Sequence, residues 1–270
     1  MKDSLENTKE KDVQIIHERS IISCFMNGLR VFSDRYLQLG RFLWPTSLIM
    51  LLLPIPGYLA FLGRIDAYLA EWNRQKKNPD LGFRDLKSET IFWTSRRGYS
   101  FLFLLIFGLL SFTLFFFFAK YHVNLWYAAL AETAILLAAL PFMRPLMQMS
   151  FSSDSFSVAL RSLKKGVMNY TIHFSFELVA GFLSLFVAII GLMPFALLVL
   201  VYFRSQHAME IGDDVNMPTL FPLYLFLAYL IAIWVVQHIM LGYTFCKFLL
   251  WGSILAKEKM MDENDAELKE

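Results

Sequence analysis

Polar and apolar positions alternate in long blocks along this chain, and the blocks set its architecture. Five windows lack formal charge almost entirely. Between Arg41 and Arg64 lie 22 uncharged residues, and between Arg97 and Lys120 another 22. Between Lys120 and Arg144 lie 23 residues with one charge, Glu132. Between Glu177 and Arg204 there are 26, and between Asp214 and Lys247 there are 32, with His238 the one group that titrates near neutral pH. A bilayer core of about 30 Å takes roughly 20 apolar residues in a helix. Backbone groups in hydrocarbon must bond to one another, so the windows are expected to be helical. The pattern predicts an all-α polytopic integral membrane protein, with spans over 99–119, 121–143, 176–203 and 219–246.

The first window, 43–63, differs from the rest. It contains Leu53-Pro54-Ile55-Pro56-Gly57 near its middle. Two prolines remove helical donors and the glycine loosens the backbone. The pieces on either side are too short to cross alone. A membrane hairpin that enters and leaves by the same face is the favoured reading. A kinked fifth span is the alternative, since membrane helices tolerate proline. Pro194 predicts a kink in the 176–203 span.

Amphipathic stretches flank the windows. Residues 20–42 place Ile22, Phe25, Met26, Leu29, Phe32, Tyr36 and Leu39 at helical spacing, against Ser23, Asn27, Arg30, Ser33, Asp34 and Arg41. This predicts an interfacial helix. Residues 154–169 predict a short amphipathic helix begun by Asp154 or Ser155. Residues 1–19 read as a disordered charged tail and 256–270 as a charged cytoplasmic tail. The remaining 43–255 form the helical membrane domain.

Composition agrees with membrane insertion. Of 270 residues, 57% are hydrophobic and 18% charged, against roughly 45–50% and about 25% in soluble domains. That excludes a disordered chain and a disulfide scaffold; the two cysteines, Cys24 and Cys246, have no CxxC spacing. The charged N-terminal stretch lacks the apolar segment of a secretory signal. Aromatic residues such as Trp44, Trp93, Tyr99, Tyr121, Trp126, Tyr202 and Trp251 mark window edges, as interfacial anchors do, while Trp234 lies deep in the last window.

The net charge of +2 directs nothing towards nucleic acid, but the placement of the 25 basic residues sets an orientation. With the first window as a hairpin and the N-terminus inside, only Lys120 and Arg204 fall outside. This obeys the positive-inside rule. Five full crossings export far more basic residues in either orientation. The expected location is a bacterial cytoplasmic (inner) membrane with the C-terminus cytoplasmic.

Candidate chemistry is sparse. Glu132 lies mid-window in Leu130-Ala131-Glu132-Thr133-Ala134. A carboxylate at that depth is expected to be protonated, paired or facing a cavity. Gln237 and His238 in the last window are the available partners, and a Glu132/His238 pair suits ion or proton coupling. A structural hydrogen bond between two helices, or a surface facing a partner protein, fits the same residues. Ala180, Ser184 and Ala188, with Gly181 and Gly191 beside them, form a small-residue stripe that admits a close helix, within the chain or in another subunit. His207, Glu210, Asp213 and Asp214 offer a weak metal-ligand cluster of hard donors, although a solvated loop accounts for them equally. Met143, Met147 and Met149 sit among apolar neighbours and read as packing. Glu177 and His173 read as interfacial, and Arg144-Pro145 as the anchor closing the preceding span.

No nucleotide-binding, zinc-protease or serine-hydrolase signature occurs. No cofactor is expected, and the expected partners are membrane lipids, other membrane subunits or a second copy, with no nucleic acid. The sequence therefore predicts a non-enzymatic scaffold, assembly factor or accessory subunit. The alternative is a small transporter or channel subunit that uses Glu132 and His238.

Overall fold

The computed structural model describes residues 15–75, 81, 85–121, 124–152, 154–210 and 218–267. The regular elements among the described residues are all helices, and four helical stretches are long and apolar enough to cross a membrane. The helices are α1 (Ile21–Asp34), α2 (Tyr36–Leu52), α3 (Pro54–Gln75), α4 (Lys87–Lys120), α5 (Leu125–Ala139), α6 (Met143–Phe151), α7 (Phe156–Arg161), α8 (Leu163–Met168), α9 (Tyr170–Glu210) and α10 (Phe221–Glu267). A single 3-10 turn, Leu140–Phe142, joins α5 to α6, with Pro141 at its start.

Residues 20–42 do not form one helix. Ser20 caps α1 by accepting a hydrogen bond from the Ser23 backbone at 3.2 Å, and the helix breaks at Arg35. The amphipathic pattern reads correctly, but its burial is against protein. Cys24, Phe25, Gly28 and Val31 are buried, and α1 runs antiparallel along α10. Gly28 makes the approach possible: a Cβ there would lie 2.8 Å from the Cys246 sulfur. Phe25 stacks on Phe176 at 4.8 Å between centroids.

Helices α2 and α3 fold back on each other about Leu53. Gly57 lies directly against the backbone of Met50, where any side chain would collide. The Arg64 guanidinium donates to the Phe42 carbonyl, and Phe42 packs on Tyr68 at 5.8 Å. Pro54 and Pro56 fall in the first turn of α3, where helical amides lack intrahelical acceptors anyway. The prolines therefore start a helix here and leave none broken. The turn approaches α10 where the Tyr229 hydroxyl donates to the Leu51 carbonyl at 3.0 Å. From Tyr229, α10 continues for eight residues, ~12 Å, to Phe221. The hairpin thus ends short of the far end of α10.

The long helices pair locally: α4 with α3 and α5, and α9 with α10. The most apolar stretches of α4 and α9 are unburied. The hydrophobic core lies at the other end of the molecule. There Phe42, Phe61, Tyr68, Trp72, Phe245 and Phe248 meet, in aromatic contacts of 5.6–6.3 Å around Trp72 and Tyr68.

Three boundaries differ from the sequence pattern. Residues 15–19, read as tail, dock on α10: Ile15 is buried against Gly252, and the Arg19 amide donates to Ser253 Oγ at 2.8 Å. Residues 256–267, read as tail, continue α10 as helix. The physical reason is covalent continuity, because extending an existing helix avoids the nucleation cost, and Lys, Glu, Met and Ala are good helix formers. Residues 154–169 form two six-residue helices, α7 and α8, separated at Ser162.

Candidate functional site

Each long helix carries a charge where its apolar window meets the core. Arg97 lies at that level on α4, Glu177 on α9 and Lys247 on α10, with Asp66 facing them from α3. The fold draws these four together. Asp66 is fully buried and accepts two hydrogen bonds from Arg97, at 2.5 Å from Nε and 2.7 Å from Nη2. Burial pushes the Asp66 carboxyl up to about 6, against the pull of the Arg97 charge. The two hydrogen bonds from Arg97 match its charged form. Beside this pair, the Tyr243 hydroxyl donates to Glu177 at 2.8 Å and accepts from Lys247 Nζ at 2.8 Å. Lys247 completes the triangle 3.4 Å from Glu177. Two acids and two cations leave the cluster neutral, which is what burial requires of ions.

A cavity of about 120 Å³ lies among these groups. Tyr58, Arg97, Ser100, Tyr243, Thr244 and Lys247 supply its polar wall, and Leu62, Met143 and Met240 part of its apolar one. The buried Ser100 hydroxyl has no protein partner.

A second network ties the α6–α8 segment to the extension of α10. Arg144 is buried and donates to Glu258 at 2.8 Å, while Lys165 and Asn169 reach the same carboxylate at 3.3 Å and 3.4 Å. Arg144 Nε and Nη1 remain buried without acceptors. Arg96 bridges α4 to the same segment through the Met149 carbonyl, at 3.0 Å, and the Asp154 carbonyl. Asp154 does not cap α7; it accepts from Gln148 at 2.7 Å and from Ser152 at 2.6 Å, and these bonds hold its carboxyl below the usual range.

The candidate coupling residues lie apart. Glu132 on α5 accepts from the Ser111 hydroxyl of α4, and its Oε1 is buried with no partner. His238 is held by the Trp234 carbonyl at 2.6 Å and by the Tyr36 hydroxyl at 3.0 Å, with the Trp234 ring 4.0 Å away. Gln237 donates to the Ser47 carbonyl at 3.4 Å. Glu132 thus belongs to the α4/α5 pair, and His238 and Gln237 to the contact of α10 with α2. The structure does not bring Glu132 to His238.

The small-residue stripe meets α10 in part. Ala180 is buried, and a Cβ on Gly191 would lie 2.7 Å from Val235. Ser184 and Ala188 are half-buried, whereas Gly181 is exposed with open space beside it. Pro194 lies inside α9, which runs uninterrupted through it. His207 and Glu210 are exposed and 3.7 Å apart. Asp213 and Asp214 lie outside the described residues, among which no group of three metal-ligating side chains occurs. Met147 and Met149 are buried in apolar surroundings. His173 and Glu177, read as interfacial, are drawn inward, and His173 is only 1% exposed with its Nε2 unpartnered.

The sequence showed each of these charges at a window edge but not which would meet. The one available signal was that Arg97, Arg144, Glu177 and Lys247 close their windows at the same end of antiparallel helices. Comparison with protein-family models, curated proteins and solved structures finds no match for this chain.

Proposed function

We propose that the chain is a non-catalytic component of a membrane assembly, acting as a scaffold, assembly factor or accessory subunit. It would lie in a bacterial cytoplasmic membrane with its core and C-terminus on the cytoplasmic side. The α2–α3 hairpin would enter the bilayer and return.

One observation carries this reading. The buried charges are spent on holding helices to one another: Asp66 on Arg97, Glu177 on Lys247 and Tyr243, Glu258 on Arg144. Each of these pairs joins two different helices, which is the use a brace makes of a buried charge. The bare apolar stretches of α4 and α9 leave wide faces for lipid or another membrane helix. A photo-crosslinking residue in place of the exposed Phe112, activated in native membranes, tests the proposal. A discrete protein adduct is expected, and adducts with lipid alone would overturn it.

A transport role draws on Glu132, whose buried Oε1 has no partner. Glu132→Gln and His238→Ala in proteoliposomes separate the readings. The scaffold role predicts proton or ion flux that is absent or unchanged by both. Flux abolished by Glu132→Gln would favour transport.

A further inference from the structure

We propose that the cavity beside the Asp66–Arg97 pair binds a small monovalent anion, held by the free nitrogen of Arg97 and by the hydroxyls of Tyr58, Ser100 and Ser150. The cavity is about 120 Å³, room for a halide or a small oxyanion with water beside it.

The wall sets the chemistry. Of the four clustered charges, the two cations, Arg97 and Lys247, line the cavity. The carboxylates of Asp66 and Glu177 hold these cations without being among the lining residues. Arg97 spends Nε and Nη2 on Asp66, which leaves Nη1 and its two N–H groups without a partner among the described residues. The hydroxyls of Tyr58, Ser100 and Ser150 make no hydrogen bond with the described residues either. Ser100 and Ser150 are only 8% and 5% exposed, so bulk water does not satisfy them. The other two hydroxyls of the wall are committed, Tyr243 to Glu177 and Thr244 to the Met240 carbonyl at 2.8 Å. What remains free is a set of donors from α3, α4 and α6. Water placed there must donate as well as accept. An anion only accepts, and takes the strong, charge-assisted bond that Arg97 has to offer.

The cluster also supplies the balancing charge. Asp66 faces Arg96 and Arg97 of α4 and Lys247 of α10, with Tyr58, Tyr243 and Glu177 next to these cations. Its carboxyl is pushed up to about 6 by burial. A proton taken up there leaves the four-group cluster with one positive charge, which a monovalent anion neutralises, and loosens the claim of Asp66 on Arg97. Anion and proton uptake are therefore linked, and each strengthens the other. The site does not depend on the assembly role, and its test reads the ion alone.

The test is chlorine-35 line broadening by the full chain in a non-ionic detergent, with thermal unfolding in chloride against gluconate at constant ionic strength. Wild type is expected to broaden the chloride line, and bromide should reverse the broadening. Chloride should raise the unfolding temperature saturably, by roughly 2–4 °C, and by more at pH 5.5 than at pH 8. Ser150→Leu, which fills the cavity and leaves the ion pairs in place, should abolish both effects. Ser150→Ala keeps the space and removes one donor, and should weaken chloride about tenfold; it carries the test alone if the leucine variant does not fold. Equal line widths with wild type and Ser150→Leu, or undiminished chloride affinity in Ser150→Ala, would overturn the proposal. So would unfolding temperatures that are the same in chloride and gluconate at pH 5.5, or a chloride effect that grows towards pH 8.

Discussion

Arg97 is paired with Asp66 where neither reaches much solvent; the two side chains are 16% and 1% exposed. Removing one member of a buried pair leaves the other charged and unsolvated, at a cost of about 3–5 kcal/mol. Arg97→Met should therefore lower the unfolding temperature sharply at pH 7.5. The sign of the pH effect follows from Asp66, whose folded value lies above its unfolded one. Such a carboxyl favours the native state more as pH falls through about 6, where it takes up a proton and no longer needs a cation. The deficit of Arg97→Met should shrink at pH 5. A deficit of equal size at both values would show that Asp66 is not the group left unpaired. Cys24 offers a simpler check. It is fully buried on α1, and burial pushes its thiol up to about 11. Maleimide at pH 7.5 should leave it unlabelled until the protein is denatured. At this scale the sequence showed single costly residues, such as Glu132, but not pairs. A carboxylate in an apolar window is conspicuous by itself. Asp66 and Arg97, 31 residues apart, become a pair only when α3 and α4 lie side by side.

Among the helices, those written by backbone chemistry were the legible ones. Pro54, Pro56 and Gly57 form a compact signal, and the chain reverses at Leu53. Gly57 is the close-approach point, set against the backbone of Met50. Gly57→Ala should splay α2 from α3, with an overpacking cost of about 1–3 kcal/mol, read as a lowered unfolding temperature. Gly40→Ala on the same hairpin has open space and should leave it unchanged. Equal effects from the two would show that Gly57 is not a contact. The break at Arg35 was illegible because no glycine or proline marks it; it comes from α1 lying along α10 while α2 turns towards α3. The helical continuation of α10 past residue 255 was hidden by its charge. Helix propensity there and the Arg144–Glu258 bond outweigh solvation of the segment.

For the whole molecule, the contacts of its two ends constrain how it can thread a bilayer. Ile15 lies on Gly252 and Arg19 on Ser253, so the start of the described chain and the extension of α10 share one end. Trp72, near the end of α3, packs on Phe248 at that same end. The chain therefore leaves this end in α1 and α2 and has returned to it by the end of α3. An odd number of crossings would put the two ends on opposite faces. The placement of basic residues leads independently to the same topology, since only Lys120 and Arg204 fall at the far ends of the long helices. Reporter fusions can decide it. Reporters after Ser20, Lys87 and Ser162 should all report the cytoplasm, and those after Asn124 and Ser205 the opposite compartment. The pair at Ser20 and Lys87 is the sensitive one, because only the α2–α3 hairpin lies between them. Opposite signals from that pair would mean that α2 and α3 together make a crossing. The ion pairs that gather α3, α4, α9 and α10 at one end could not then form in the membrane.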